Sequence, residues 1–174
     1  MANVNAPHGF APVRSLDGSG HAHVTYMNLA AANSAIGRGD PVTITGGYVD
    51  AAAASAALCG IAAEPKGASS SDTFIAVWAD PAQFFEAQTD DGTGVLTAVT
   101  GIGLNADFIA SAALSAAGLS TAEVDESSGN TTATLPFKVI SLQKDPKNAY
   151  GEFNRLVVKI NNHQMQGHTG TAGS

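Results

Sequence analysis

The chain has 174 residues, enough for one domain with a real core, and its 44 % apolar content excludes wholesale disorder. Only 13 % of its residues are charged, against a usual share of about 25 %, so its surface is either neutral and polar or covered by partners. The net charge of −7, without any run of Lys or Arg, excludes nucleic-acid binding as a function class.

The N-terminal MANVNAPHGF has neither a basic n-region nor an apolar h-region, so no signal peptide is expected there. Residues 1–22 show no helical or strand period, because Pro7, Gly9, Pro12, Gly18 and Gly20 interrupt them. Val4, Phe10, Val13 and Leu16 are nonetheless too apolar for a free tail. The segment reads as an extended arm that could reach about 65–70 Å and that lies on a surface. Ordering it costs about 1–2 kcal/mol per residue in backbone entropy, so that surface must be large. A neighbouring subunit or the chain's own domain would serve.

Short strands follow over a β-rich domain, residues 23–164. They are VTYMNL, PVTIT, ALCGIAA, TFIAVWA, QFFEAQ, VLTAV, LPFKVISLQ and FNRLVVKIN. Gly46-Gly47, Asp80-Pro81, Asp91-Gly92, Gly129-Asn130 and Asp145-Pro146 punctuate them. This spacing predicts a mainly β chain, one small β-barrel or β-sandwich with at most one short helix. In the last strand Leu156, Val158 and Ile160 make an apolar face opposite Arg155, Val157 and Lys159. In TFIAVWA, Phe74, Ala76 and Trp78 point one way and Ile75 and Val77 the other. With both faces apolar, that strand is central or covered by a partner.

Asn105–Gly118 is the helix candidate, with Asp and Asn at its start, Gly at its end and a weak apolar stripe. Ser120–Thr134 is polar and turn-rich, and residues 165–174 have the composition of a flexible tail. The single Cys59 permits no disulfide within the chain and reads as a small buried hydrophobe. The longest weakly apolar stretch, AAAASAALCGIAA, is too short and too Ala-rich to span a bilayer. Folding in a cytoplasm, away from membranes, is the expectation.

Each chemical motif has a plainer reading. Gly101-Ile-Gly103-Leu-Asn-Ala106 matches a dinucleotide-binding fingerprint, with Asp125 about twenty residues on. That chemistry needs a buried parallel strand, a firm helix and further βα units, which the surrounding sequence lacks, so a turn is expected. Glu86, Asp90 and Asp91 could form an acid–base pair in a cleft, but Asp91-Gly92 has hairpin-turn chemistry. His21 and His23 could share a strand face, yet two ligands do not close a metal site, and His163 and His168 lie far off. No G-x-S-x-G elbow supports a Ser nucleophile. Arg38-Gly39-Asp40 reads as a turn entering PVTIT, and Asn130-Thr-Thr132 is a glycosylation sequon that matters only in a secreted chain. No catalytic residue, cofactor or metal is expected.

The phrases NAPHGFAPVRSLDG, GDPVTITGG, VWADPAQFFEAQ and GLSTAEVDESSGNTTATLPFKVISLQKDPKNAYGEFNRLVVKINNHQ spread over most of residues 1–164. Together they resemble the head decoration, or cement, proteins of tailed bacteriophages. The short SLDGSGHAH segment and the Ala-rich residues 51–57 depart from that pattern. The resemblance implies a β-rich module with an extended N-terminal arm and no catalytic residues. It implies binding to the outside of an assembled phage capsid, commonly as a homotrimer that clamps neighbouring major capsid subunits. Synthesis in a bacterial host cytoplasm would precede a place on the virion exterior. Val4, Pro7, Phe10, Val13 and Leu16 in the arm, with Trp78, are the expected partner-binding residues. The alternatives are another virion β-module of tail or fibre, a small hydrolase using Glu86, Asp90 or Asp91, and a capsid protein itself.

Overall fold

The computed structural model describes residues 3–16, 18, 22–110, 117–166, 170 and 173. Eleven strands make up the described fold. In chain order they are β1 (Ala11–Ser15), β2 (Val24–Asn28), β3 (Pro41–Thr45), β4 (Tyr48–Ala51), β5 (Gly60–Ala62) and β6 (Phe74–Trp78). Then come β7 (Gln83–Gln88), β8 (Asn105–Ile109), β9 (Glu123–Asn130), β10 (Phe137–Leu142) and β11 (Arg155–Ile160). They form two antiparallel sheets, ordered β1-β7-β11-β10-β8-β9 and β2-β6-β5-β3-β4. Neither closes into a barrel, so of the two expected architectures the chain adopts the sandwich.

The alternation of the strands builds two apolar layers. One lies between the sheets and joins Ile61 and Trp78 of the smaller sheet to Phe85, Phe108, Phe137, Leu156 and Val158 of the larger. The other covers the opposite face of the smaller sheet, with Val42, Val49, Ala62, Ile75 and Val77. β6 therefore carries apolar side chains on both faces because β2 and β5 flank it and both faces are covered. β11 puts Leu156, Val158 and Ile160 in the inter-sheet core as expected, but its other face, expected to be mostly solvated, has Val157 buried and Arg155 and Lys159 half-buried.

The N-terminal segment lies on its own domain. Phe10 is fully buried and stacks on Phe137, ring centroids 4.4 Å apart, with Phe108 edge-on to both. The Phe10 N–H donates to the Gly39 carbonyl at 2.9 Å, and β1 then pairs with β7 from Ala11↔Glu86 to Ser15↔Gln83. Each fully buried Phe contributes about 1.5–3 kcal/mol of transfer free energy, which helps offset the entropy of ordering the segment.

Three expectations about elements need correcting. Asn105–Ile109 is strand β8, not the start of a helix, because Phe108 fills the aromatic core and the backbone pairs with both β10 and β9. Residues 111–116 of that helix candidate lie outside the described residues. Val95–Val99 is not a strand but two 3-10 turns, Val95–Thr97 and Val99–Gly101, with Leu96 buried between exposed valines. The polar stretch after Ser120 contains the eight-residue strand β9. β1, within residues 1–22 where no strand period was expected, and β4 are further strands, the first drawn out by its pairing with β7. β4 follows the Gly46-Gly47 turn, where φ values of 60° and 88° meet the demand of a tight hairpin for two left-handed residues.

Candidate functional site

In strand order the two sheets have four edges, although the smaller sheet curls so that Leu29, just past β2, bridges Val49 of β4. Three of the edges are guarded against pairing with another chain. β1 carries Pro12, Arg14 and a register shift between them. β9 carries Glu123, Asp125 and Glu126 and its own register shift. β4 is four residues long and includes Asp50. β2 differs: it has no charge, no proline and no bulge, and pairs with β6 in unbroken register from Val24↔Trp78 to Asn28↔Phe74.

The same edge is apolar. Alternation puts Val24, Tyr26 and Asn28 on one face of β2, opposite Trp78, Ala76 and Phe74 of β6. Tyr26 is 71 % exposed and Phe74 is 53 % exposed. Met27, on the other face, packs against the second apolar layer. Exposed Tyr48 continues the surface, where a cleft of about 620 Å³ lies between Asn28, Leu29, Tyr48 and the 70–73 loop. Such an edge can accept a further strand through main-chain hydrogen bonds, with Tyr26 and Phe74 supplying side-chain contact.

The expected partner-binding residues divide. Val4 and Leu16 are 77 % and 64 % exposed, Val13 is exposed on β1, and Pro7 is half-buried. Phe10 sits in the core, and Trp78 lies in the inter-sheet layer with the Arg38 guanidinium over its ring at 5.5 Å. Both therefore serve this chain's own packing. Phe85 is likewise core, and Phe84 is buried beneath the Arg14 guanidinium at 5.2 Å. Of the four aromatics between residues 74 and 85, only Phe74 is exposed.

The expected carboxylates also divide. Glu86 accepts a hydrogen bond from Arg155 Nη1 at 3.0 Å, and the other arm of Arg155 holds Asp145. Asp91 is exposed in the connection after β7, which leads into the 3-10 turns and is not a hairpin. Asp90 meets two residues not expected in this role, Asp125 and Glu126 of β9. One carboxylate oxygen from each lies within 4.8 Å of the others. The Glu126 N–H donates to Asp90 Oδ1 at 3.2 Å, the Thr93 N–H donates to Glu126 Oε1 at 3.1 Å, and Asp125 Oδ1 accepts from Ser127 and Ser128. Glu126 is 1 % exposed and its Oε2 has no hydrogen-bond donor. Burial, with the Asp90 carboxyl beside it, pushes the Glu126 carboxyl up to about 7. Burial also raises Glu123, with the Asp90 charge adding to it. The signal for Glu126 was the pair Val124 and Glu126, two apart on a strand and so on one inward face.

The remaining motifs are structural. Gly101 and Gly103 lead into strand β8, so no helix N-terminus follows to hold a pyrophosphate. Asp40 is buried, accepts from the Gly37 N–H at 2.6 Å and is raised by burial, so Arg38-Gly39-Asp40 is a turn ahead of β3. His23 is exposed, while His163 is buried and its imidazole is pushed down to about 4 by that burial. His21 and His168 lie outside the described residues. Cys59 is buried and its thiol is pushed up to about 12 by burial, which makes it inert. Comparison with protein-family models, with characterised proteins and with solved structures finds no match to this chain.

Proposed function

We propose that this chain is a structural decoration protein that binds the outer surface of a tailed-phage head and clamps neighbouring major capsid subunits. The observation that carries the reading is the edge of β2 over Val24–Asn28, uncharged, unbulged and without a second strand partner among the described residues, flanked by exposed Tyr26 and Phe74. An unguarded apolar edge is a liability in a free protein and an asset in one that docks. The low charge of the chain and the resemblance of its phrases to cement proteins support the same reading. Val4, Val13 and Leu16 add exposed apolar area near the N-terminus. In this reading the chain catalyses nothing. It binds the assembled shell better than separate subunits and so stabilises the shell by mass action, and self-association as a homotrimer would multiply the effect by avidity.

The test is a titration of purified, undecorated heads with wild-type protein and with Tyr26→Lys and Phe74→Lys variants. Deletion of residues 1–20 is unsuitable, since it removes Phe10 from the core. The expected outcome is saturable wild-type occupancy across the lattice and at least about tenfold weaker binding by either variant, as for a central contact residue. Wild-type protein found only at tails would favour the tail or fibre reading. Unchanged occupancy by both variants would remove β2 as the docking edge.

A further inference from the structure

We infer that Asp90, Asp125 and Glu126 form a binding site for a hard divalent cation, with Ca²⁺ preferred. The three side chains converge from two places in the chain, the end of β7 and the edge strand β9. Their ligand oxygens lie within 4.8 Å of one another, a spacing that one ion at about 2.3–2.6 Å from each oxygen can bridge. The second observation is the orphaned Oε2 of Glu126. The residue is 1 % exposed, and no donor meets that oxygen. A buried carboxylate oxygen without a donor beside another carboxyl is costly unless a proton or a cation lies between them.

The charge around the cluster argues for a cation. Asp91 and Glu123 add to the three acids, and none of the five takes part in an ion pair with Lys or Arg among the described residues. The ligand set is all oxygen, with no Cys or His, which disfavours Zn²⁺ and suits Ca²⁺ or Mg²⁺. Asp90 and Asp125 are half-buried, so the site has a wet side from which water can complete a coordination shell. That irregular, partly protein-built shell fits the flexible demands of Ca²⁺ better than the octahedron of Mg²⁺.

The position gives the ion a structural task. The larger sheet curls until β7 and β9, not neighbours in its strand order, meet through the bridge Thr89↔Val124 and the bond from Asp90 N–H to the Val124 carbonyl at 3.2 Å. A cation held by Asp90 on one side and Asp125 and Glu126 on the other would staple this seam. Gly94 lies so close to the Glu126 carbonyl that a Cβ there would clash, which keeps the covering loop tight against the site.

The experiment uses the full chain stripped with chelator near neutral pH. CaCl₂ and MgCl₂ are titrated by calorimetry, and thermal melting is followed in chelator and in about 5 mM of each salt. The expected result is one saturable Ca²⁺ site with Kd of about 10⁻⁵–10⁻³ M, weaker Mg²⁺ binding, and a Tm that rises with Ca²⁺. Glu126→Gln should raise the Tm in chelator, by removing a repelled charge, and should abolish the rise with Ca²⁺. Asp125→Asn, at a half-buried position, decides the matter if Glu126→Gln fails to fold, and it should weaken Ca²⁺ at least about tenfold. No saturable heat and no Tm change for the wild type would overturn the inference and leave a shared proton in the cluster. Equal Ca²⁺ binding by wild type and Asp125→Asn would overturn it too, since the ion would then sit elsewhere.

Discussion

β2 and β9 are both edge strands, one at the end of each sheet, and they solve the same problem in opposite ways. β9 puts Glu123, Asp125 and Glu126 into eight residues, and repulsion between such strands forbids edge-to-edge pairing. β2 has no such charge and leaves Tyr26 exposed. A charged edge is closed to another chain but open to a cation. An uncharged edge is the reverse. In the proposed readings the two edges take different partners, and charge is the first feature that separates them.

The sharpest way to break this contrast is to truncate one Phe beside each edge. Phe108 on β8 pairs with Val124 of β9, is 1 % exposed and meets Phe10 and Phe137 edge-on. Phe74 on β6 pairs with Asn28 of β2 and is 53 % exposed. Phe108→Ala should cost about 3–5 kcal/mol in urea unfolding, because it leaves a cavity in the aromatic core. Phe74→Ala should stay within about 0.5 kcal/mol. Equal losses would mean that Phe74 is part of the packing and that β2 is not a free surface.

The next effect separates the edges by pH. The Glu126 carboxyl is raised from 4.5 to about 7, chiefly by burial and then by Asp90. The folded protein keeps that proton to higher pH than the unfolded chain does. Its contribution is therefore full below about 4.5 and is lost as pH rises through about 7. In chelator, urea midpoints should fall between those values for the wild type, and the fall should flatten in Glu126→Gln. His163 works the other way: its folded value is lowered from 6.5 to about 4, so its contribution is full above 6.5 and is lost as pH falls towards 4. His163 is common to wild type and variant, so the difference between their profiles isolates the β9 edge. β2, with no titratable carboxylate, should contribute nothing to it.

How far these edges were legible in the sequence depended on what sets each strand. β3 and β11 declared themselves by β-branched residues and alternation, and β6 by a short continuous apolar run. β2 was legible as a strand, but its place at an edge was not, since strand order is fixed by long-range pairing. β9 was hidden because its residues favour turns in isolation, and only pairing with β8 makes them extended. β8 was hidden by an Ala-rich continuation that imitates a helix. Phe10 was legible as too apolar for a tail, but its insertion beside Phe137 depends on a turn at Gly9, where φ is 72°. The carboxyl cluster needed β9 first, because Glu126 faces inward only if Val124 and Glu126 share a strand face.

The smallest effect on stability is the most telling for β2. Tyr26 sits in mid-strand, 71 % exposed and paired with Ala76, and no described hydrogen bond or ring contact holds its side chain. Tyr26→Lys replaces the ring with a flexible aliphatic stem and adds the charge that natural edge strands use as a guard. The urea midpoint should move by no more than about 0.5 kcal/mol equivalent. The same substitution places an ammonium where an incoming strand or an apolar partner surface would have to desolvate it. Any association through β2, with a second copy or with a capsid subunit, should therefore weaken at least about tenfold while the fold stays intact. Sedimentation of the free protein and binding to heads, measured on the same preparation, tell the two occupants apart. A shift in the first alone identifies β2 as the seam between copies, and a shift in the second alone identifies it as the face turned to the shell.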